Sequence, residues 1–162
     1  MRLNRDEIAA LIPHAGSMVL LDSVVEWDEG RIVCLTTMHR DRANPLYVAG
    51  QLSSVCGIEF AAQAMAVHGA LLKRRDRAIE DAENGAATPP RAGFLASVRS
   101  VDLHVARLDD VRSVLTIEAV REAGDGDRVL YRFDLRAGDA SLVSGRAAVV
   151  LAMPDLEDAI AG

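Results

Sequence analysis

The stretch Ser53-Ser54-Val55-Cys56-Gly57-Ile58-Glu59-Phe60-Ala61-Ala62-Gln63-Ala64-Met65-Ala66-Val67-His68-Gly69-Ala70-Leu71-Leu72-Lys73-Arg74-Arg75 decides how the rest of the chain must be arranged. Its small and apolar residues recur at helical spacing. Ser53 or Ser54 stands ready as a cap, and Lys73, Arg74 and Arg75 complement the negative end of the helix dipole. At 1.5 Å per residue this is a helix of roughly 33 Å. Ala61, Ala62, Ala64, Ala66, Gly69 and Ala70 leave almost no polar face, so such a helix must be surrounded rather than laid on a surface.

The flanking sequence supplies strands to do this. On the N-terminal side, Asn4–Leu11 reads as a short helix with Asn4 as N-cap and Asp6 and Glu7 in the first turn, stopped at Pro13. An apolar run from Ser17 to Trp27, turn chemistry at Asp28-Glu29-Gly30 and a β-branched run Arg31–Met38 predict a hairpin. The segment His39–Pro45 is polar and irregular. Beyond the helix, the charged stretch Asp76–Pro90 reads as a mobile linker. Four strand-like segments follow. Val101, Leu103 and Val105 alternate with Asp102, His104 and Ala106, and Val129, Tyr131, Phe133 and Leu135 alternate with Leu130, Arg132, Asp134 and Arg136, while Ser113–Val120 and Ser141–Leu151 are strand-like in composition. The expected class is α+β, with an antiparallel sheet of about six strands curled around one long helix. A leftover edge and sheet surface favour pairing with a second copy or a relative.

Length and charge bound the function. The 162 residues suit one domain over 1–162. With 18 Lys+Arg against 24 Asp+Glu the chain carries −6, which argues against nucleic acid as a partner. The apolar runs read as too short for a bilayer crossing, so no membrane span is expected. Cys34 and Cys56 cannot form a disulfide framework, and Met1–Pro13 lacks a signal-type apolar core, which makes the cytoplasm the expected location. There is no Walker or Rossmann glycine pattern, and the scattered histidines lack metal-ligand spacing, so no metal is expected.

Two motifs carry a resemblance. Ile12-Pro13-His14-Ala15-Gly16-Ser17-Met18-Val19-Leu20-Leu21-Asp22 resembles the proline-histidine entry motif of hotdog-fold dehydratases acting on 3-hydroxyacyl groups held by acyl carrier protein. Glu59-Phe60-Ala61-Ala62-Gln63-Ala64 resembles the glutamate-plus-glutamine helix motif of the same family. With Asn44-Pro45-Leu46, Gly50-Gln51-Leu52 and Gly57-Ile58-Glu59, the chain is most similar to the subgroup found with aryl polyene biosynthesis, in which dehydratase-like subunits pair with one another. The family places its catalytic histidine in a glycine-histidine-phenylalanine-proline segment before the helix. Here Gly50-Gln51-Leu52 stands in its place, and glutamine cannot take a proton from carbon.

Glu59 is the one carboxylate between Ser53 and Lys73. On an apolar helix an unpaired ionised group is costly, which favours the neutral acid, a form that can protonate a leaving hydroxyl; the plain alternative is a structural glutamate facing a loop or a partner. Gln63, four residues on, can orient Glu59 or line a pocket, or be a satisfied interface amide. Gly57 offers first-turn N–H groups to a thioester oxygen and room for substrate, or simply lets helix and strand pack closely. Gln51 is the remaining expected substrate contact.

His14 is the leading candidate base, followed by His39, for which a solvated loop histidine is the alternative. His68 lies nine residues beyond Glu59, about 900° around the helix, and so belongs to the core or an interface. His104 is expected to face solvent or a subunit seam. Cys56, near the helix N-terminus, is expected to have a lowered pKa. Arg74, Arg75, Arg77, Arg91 and Arg99 can form a patch for acyl carrier protein and its phosphopantetheine phosphate.

The resemblance implies dehydration of (3R)-hydroxyacyl thioesters to trans-2-enoyl thioesters in fatty acid or aryl polyene biosynthesis, with no cofactor beyond the carrier's arm. The alternatives are a non-catalytic dehydratase-like subunit that completes an active partner, and a hotdog acyl thioesterase.

Overall fold

A computed structural model of the chain describes residues 2–13, 16–84, 93–125 and 128–151. The elements run β1 (Leu3–Asn4), α1 (Arg5–Ala9), β2 (Ser23–Trp27), β3 (Arg31–Thr36), α2 (Gly57–Asn84), β4 (Gly93–Leu103), β5 (Leu115–Asp125), β6 (Arg128–Ala137) and β7 (Ala140–Leu151). Seven strands form one antiparallel sheet in the order β1-β2-β3-β5-β6-β7-β4. α2 packs on its inner face against β3, β4, β5, β6 and β7. This is the curled sheet and long helix of the hotdog fold.

Local chemistry sets each boundary. Asn4 caps α1 through a reciprocal box, its Oδ1 accepting from Glu7 N at 3.0 Å and its own N–H donating to Glu7 Oε2 at 2.8 Å. In the β2–β3 turn, Gly30 N donates to Asp28 Oδ1 at 2.8 Å. The strand expected from Ser17 starts only at Ser23. Val19, Leu20 and Leu21 are buried in extended chain, but Leu20 is bonded by side chains of α2 and β3 instead of by a neighbouring strand.

α2 continues nine residues past Arg75, through Asn84, so the expected linker at 76–90 is helix over its first part; 85–90 lie outside the described residues. Arg77-Ala78-Ile79-Glu80-Asp81-Ala82-Glu83 consists mostly of good helix formers, with acids three and four places after the arginine. Ser54–Glu80 is in fact long and apolar enough to cross a bilayer, contrary to the sequence expectation, and half of its most apolar window is buried within the chain, as a core helix requires.

Among the described residues, the helix is covered on one side only. Phe60, Ala61, Ala64, Met65, Val67 and Leu71 face the sheet and are buried, whereas Glu59, Ala62, Ala66, Gly69, Ala70 and Lys73 form a stripe that is partly or fully open. One close approach fits helix to sheet and a second fits neighbouring strands together. A Cβ on Gly57 would stand 3.0 Å from Leu135 Cδ2 and 3.1 Å from Val143 Cγ2, and one on Gly145 would stand 2.9 Å from the Phe133 ring.

Candidate active site

The chain entering α2 is built from side chain to backbone bonds. Asn44 Nδ2 donates to Met38 O at 3.0 Å while its Oδ1 accepts from Leu46 N at 3.0 Å, and the Tyr47 hydroxyl donates to His39 O at 2.6 Å. Val48 and Gln51 then exchange backbone bonds of 2.9 and 3.0 Å across a two-residue turn with Ala49 at φ 51° and Gly50 at φ 72°. Two left-handed residues in succession make this a type I′ turn, at a cost for the alanine. The turn holds Gln51 at the surface and leaves Val48 76% exposed.

A clamp behind this turn fixes the start of the helix. Leu52 N donates to Asp109 Oδ1 at 2.9 Å, Leu108 N donates to Leu52 O at 2.9 Å, and Asp109 is paired with Arg107, whose Nε lies 3.0 Å from Oδ1. The Arg107 guanidinium holds the Asp109 carboxyl at about 2, below its ordinary 3.8. A lowered folded pKa contributes stability that is full above the unfolded value and lost as pH falls through the folded one. Asp109→Asn is therefore expected to lower the unfolding midpoint at pH 5 and to lose that difference as pH falls from about 3.8 to about 2. Thermal melts at the two ends of this range check the sign.

Glu59 sits in the first turn of α2, exposed and without a hydrogen bond or ion pair among the described residues. The expectation of a hidden acid is corrected for the chain by itself, because its side of the helix is the side the sheet does not cover. Gln63 does not reach it. Gln63 is buried, with Oε1 accepting from Leu20 N at 2.8 Å and Nε2 donating to Met18 O at 2.5 Å, which ties α2 to the Ser17–Leu21 segment. Gly57 presses its Cα against β6 and β7, which accounts for the glycine by packing.

The histidines divide. His14 lies outside the described residues. His39 is buried instead of solvated, its Nε2–H donating to Val111 O at 3.0 Å, and burial lowers its pKa. His68 is a satisfied core residue between Tyr131 Oη at 2.8 Å and Asp28 O at 2.7 Å. His104 is exposed. Burial first, and the Glu59 charge second, raise the Cys56 pKa, contrary to the lowering expected from its position. No group of three or more potential metal ligands occurs among the described residues.

The Ala49-Gly50 turn and the Arg107–Asp109 clamp were not anticipated from sequence. Neither carries a strong signal: Ala-Gly is not a usual type I′ pair, and the clamp joins Leu52 to a residue 57 positions away.

Residues 6–161 match the ApeP-like family, described as ApeP dehydratase. The chain belongs to the ApeP-like dehydratase family. No curated protein matches. Among solved structures, it is similar to the dehydratase heterocomplex ApeI:P from Xenorhabdus doucetiae, at 24% identity and TM-score 0.74, covering 94% of this chain and 96% of that one. A thioesterase from Haemophilus influenzae matches at 10% identity and TM-score 0.61, covering 93% and 91%. AziG from S. sahachiroi matches at 19% and 0.53, covering 88% and 99%. At these identities the likeness is one of fold, and it places dehydratases and a thioesterase on the same frame.

Proposed function

We propose that this ApeP-like chain takes part in dehydrating (3R)-hydroxyacyl thioesters, carried by acyl carrier protein, to trans-2-enoyl thioesters, within a complex of two hotdog subunits. The carrying observation is Glu59: an unpartnered acid at the first turn of α2, on the open side of an otherwise apolar helix. A second subunit laid on that stripe would shield the acid from water and wall an apolar channel for the acyl chain. That the similar X. doucetiae structure is a heterocomplex supports a related subunit as the partner.

In this reading a base removes the α-proton, the Cα–H electrons form the new double bond, the Cβ–O bond breaks, and Glu59 protonates the departing hydroxyl, which leaves as water. The Gly57 N–H is not available for polarising the thioester oxygen, since the 3-10 turn Ser54–Cys56 that leads into α2 bonds it to the carbonyls of Ser54 and Val55, and its Cα is turned to the sheet. Gln51, exposed in the turn before α2, remains a candidate substrate contact. His14 is this chain's candidate base. No cofactor is needed beyond the carrier's arm, and the cytoplasm is the proposed location.

Gln51 favours a second reading, in which the base belongs to the partner and this subunit completes the site. Assaying the chain by itself and mixed with a related hotdog subunit, with products identified by mass spectrometry, separates the readings. An enoyl thioester from the chain without a partner supports His14. Where the product forms only in the mixture, His14→Ala decides: undiminished turnover supports the second reading, and a large loss supports His14. Free acid and thiol would replace both with thioester hydrolysis.

A further inference from the structure

The outer face of the sheet carries a row of arginines that the strand register assembles. Arg31 lies opposite Val120, Val120 opposite Arg132, Arg132 opposite Arg146, and Arg146 opposite Arg99, so arginine fills every position of the row from β3 to β4 except that of Val120. Like charges directly opposite one another destabilise a sheet. Neutralisation is uneven. Arg31 is paired with Glu26 at 3.2 Å and Glu118 at 3.1 Å, and Asp134 is taken by Arg136 at 2.7 Å. Arg132 and Arg146 share Glu122 at 3.9 and 3.6 Å, beyond hydrogen-bonding contact, and Arg99 has no ion pair among the described residues. Three guanidinium groups on adjacent strands thus have one carboxylate, Glu122, within ion-pairing distance, while Glu118 and Asp134, which line the same concavity, are held by Arg31 and Arg136.

The same place is concave. Two adjoining clefts of about 350 and 590 Å³ share Arg146 and Ser100 as lining, with Arg132 and Ser144 in the first and Arg99 and Ser97 in the second. β4 is bulged between Arg99 and Asp102, and Ser100 adopts φ 51°, a left-handed conformation costly for a residue with a Cβ. Repelling charges and a strained residue bordering one cleft are features that packing alone does not reward.

We infer that this outer cleft binds a diphosphate group, free or esterified, through Arg99, Arg132 and Arg146. Neighbouring strands stand about 4.8 Å apart, so the three side chains span roughly 10 Å, which suits two linked oxyanions better than one. Planar guanidinium forks match phosphate oxygens bidentately, and the serine hydroxyls add neutral donors. The site is independent of the chemistry proposed at Glu59, which lies on the helix inside the curl.

Calorimetric titration of the full chain with pyrophosphate and with ADP, at ionic strength fixed with sodium chloride, tests it. Saturable binding of both is expected. Arg99→Gln/Arg146→Gln should weaken it at least tenfold while leaving the unfolding midpoint unchanged or raised, since a repulsion is relieved. Glu122→Gln should tighten it severalfold by removing the competing carboxylate. Tighter binding of ADP than of pyrophosphate assigns the esterified source, and equal binding the inorganic anion. Heats that chloride reproduces, or binding that survives the double substitution, would overturn the site.

Discussion

Glu59→Gln is expected to reduce formation of the enoyl thioester by about 10²- to 10⁴-fold in the assembled complex, the range that a positioned proton donor contributes. Glutamine keeps the size and hydrogen-bonding reach of the side chain but cannot release a proton to the hydroxyl. The structure also separates this loss from unfolding. Glu59 is exposed and bonded to nothing among the described residues, so the substitution should change the stability of the isolated chain by no more than about 0.5 kcal/mol. A large drop in turnover with an unmoved denaturation midpoint supports the assignment. Undiminished turnover in the complex would remove Glu59 from the chemistry.

Gln63→Ala should act in the opposite way, through the fold. The substitution strips the buried Leu20 N–H and the part-buried Met18 C=O of their partners at 2.8 and 2.5 Å and leaves space behind. Each orphaned buried group costs about 1 to 3 kcal/mol, so a total near 4 kcal/mol is expected, a large part of a domain's net stability. Urea unfolding should show a lower midpoint with an unchanged slope, and hydrogen exchange should accelerate first at the Leu20 amide. Gln63→Glu should not recover the loss at neutral pH, because an ionised carboxylate would be buried with one oxygen against the Met18 carbonyl, whereas the protonated acid can still accept from Leu20 and donate to Met18. A midpoint within 1 kcal/mol of wild type for Gln63→Ala would show that the clamp carries little weight.

Much of the fold could be read in advance because its signals are local and repeated. The small-residue periodicity of α2 and the period-two pattern of β6 are present in the chain itself, and Asn4 caps α1 where its side chain indicated. What escaped depends on partners distant in sequence. β1 is only two residues long and exists because Leu3 and Asn4 meet Val24 and Ser23. The alternation of Val101, Leu103 and Val105 does not hold, since the bulge in β4 leaves Leu103 47% exposed.

The site was less legible for a related reason. An alanine-rich helix announces that it will be covered, not which chain does the covering, so Glu59 was expected to be hidden within this one. Gln63 was correctly placed one turn from Glu59, yet helical spacing is silent about the Met18 and Leu20 backbone that captures its amide. Cys56 shows the same limit: the helix terminus favours a thiolate, but partial burial and the Glu59 charge outweigh it.

The two borders of the sheet are unequal, two residues in β1 against eleven in β4. Chains that join along β4 use the one long border that is unpaired among the described residues, and what remains at the far ends is too short to recruit a third. Growth by this route halts at a pair, so the asymmetry acts as a built-in stop against fibre formation.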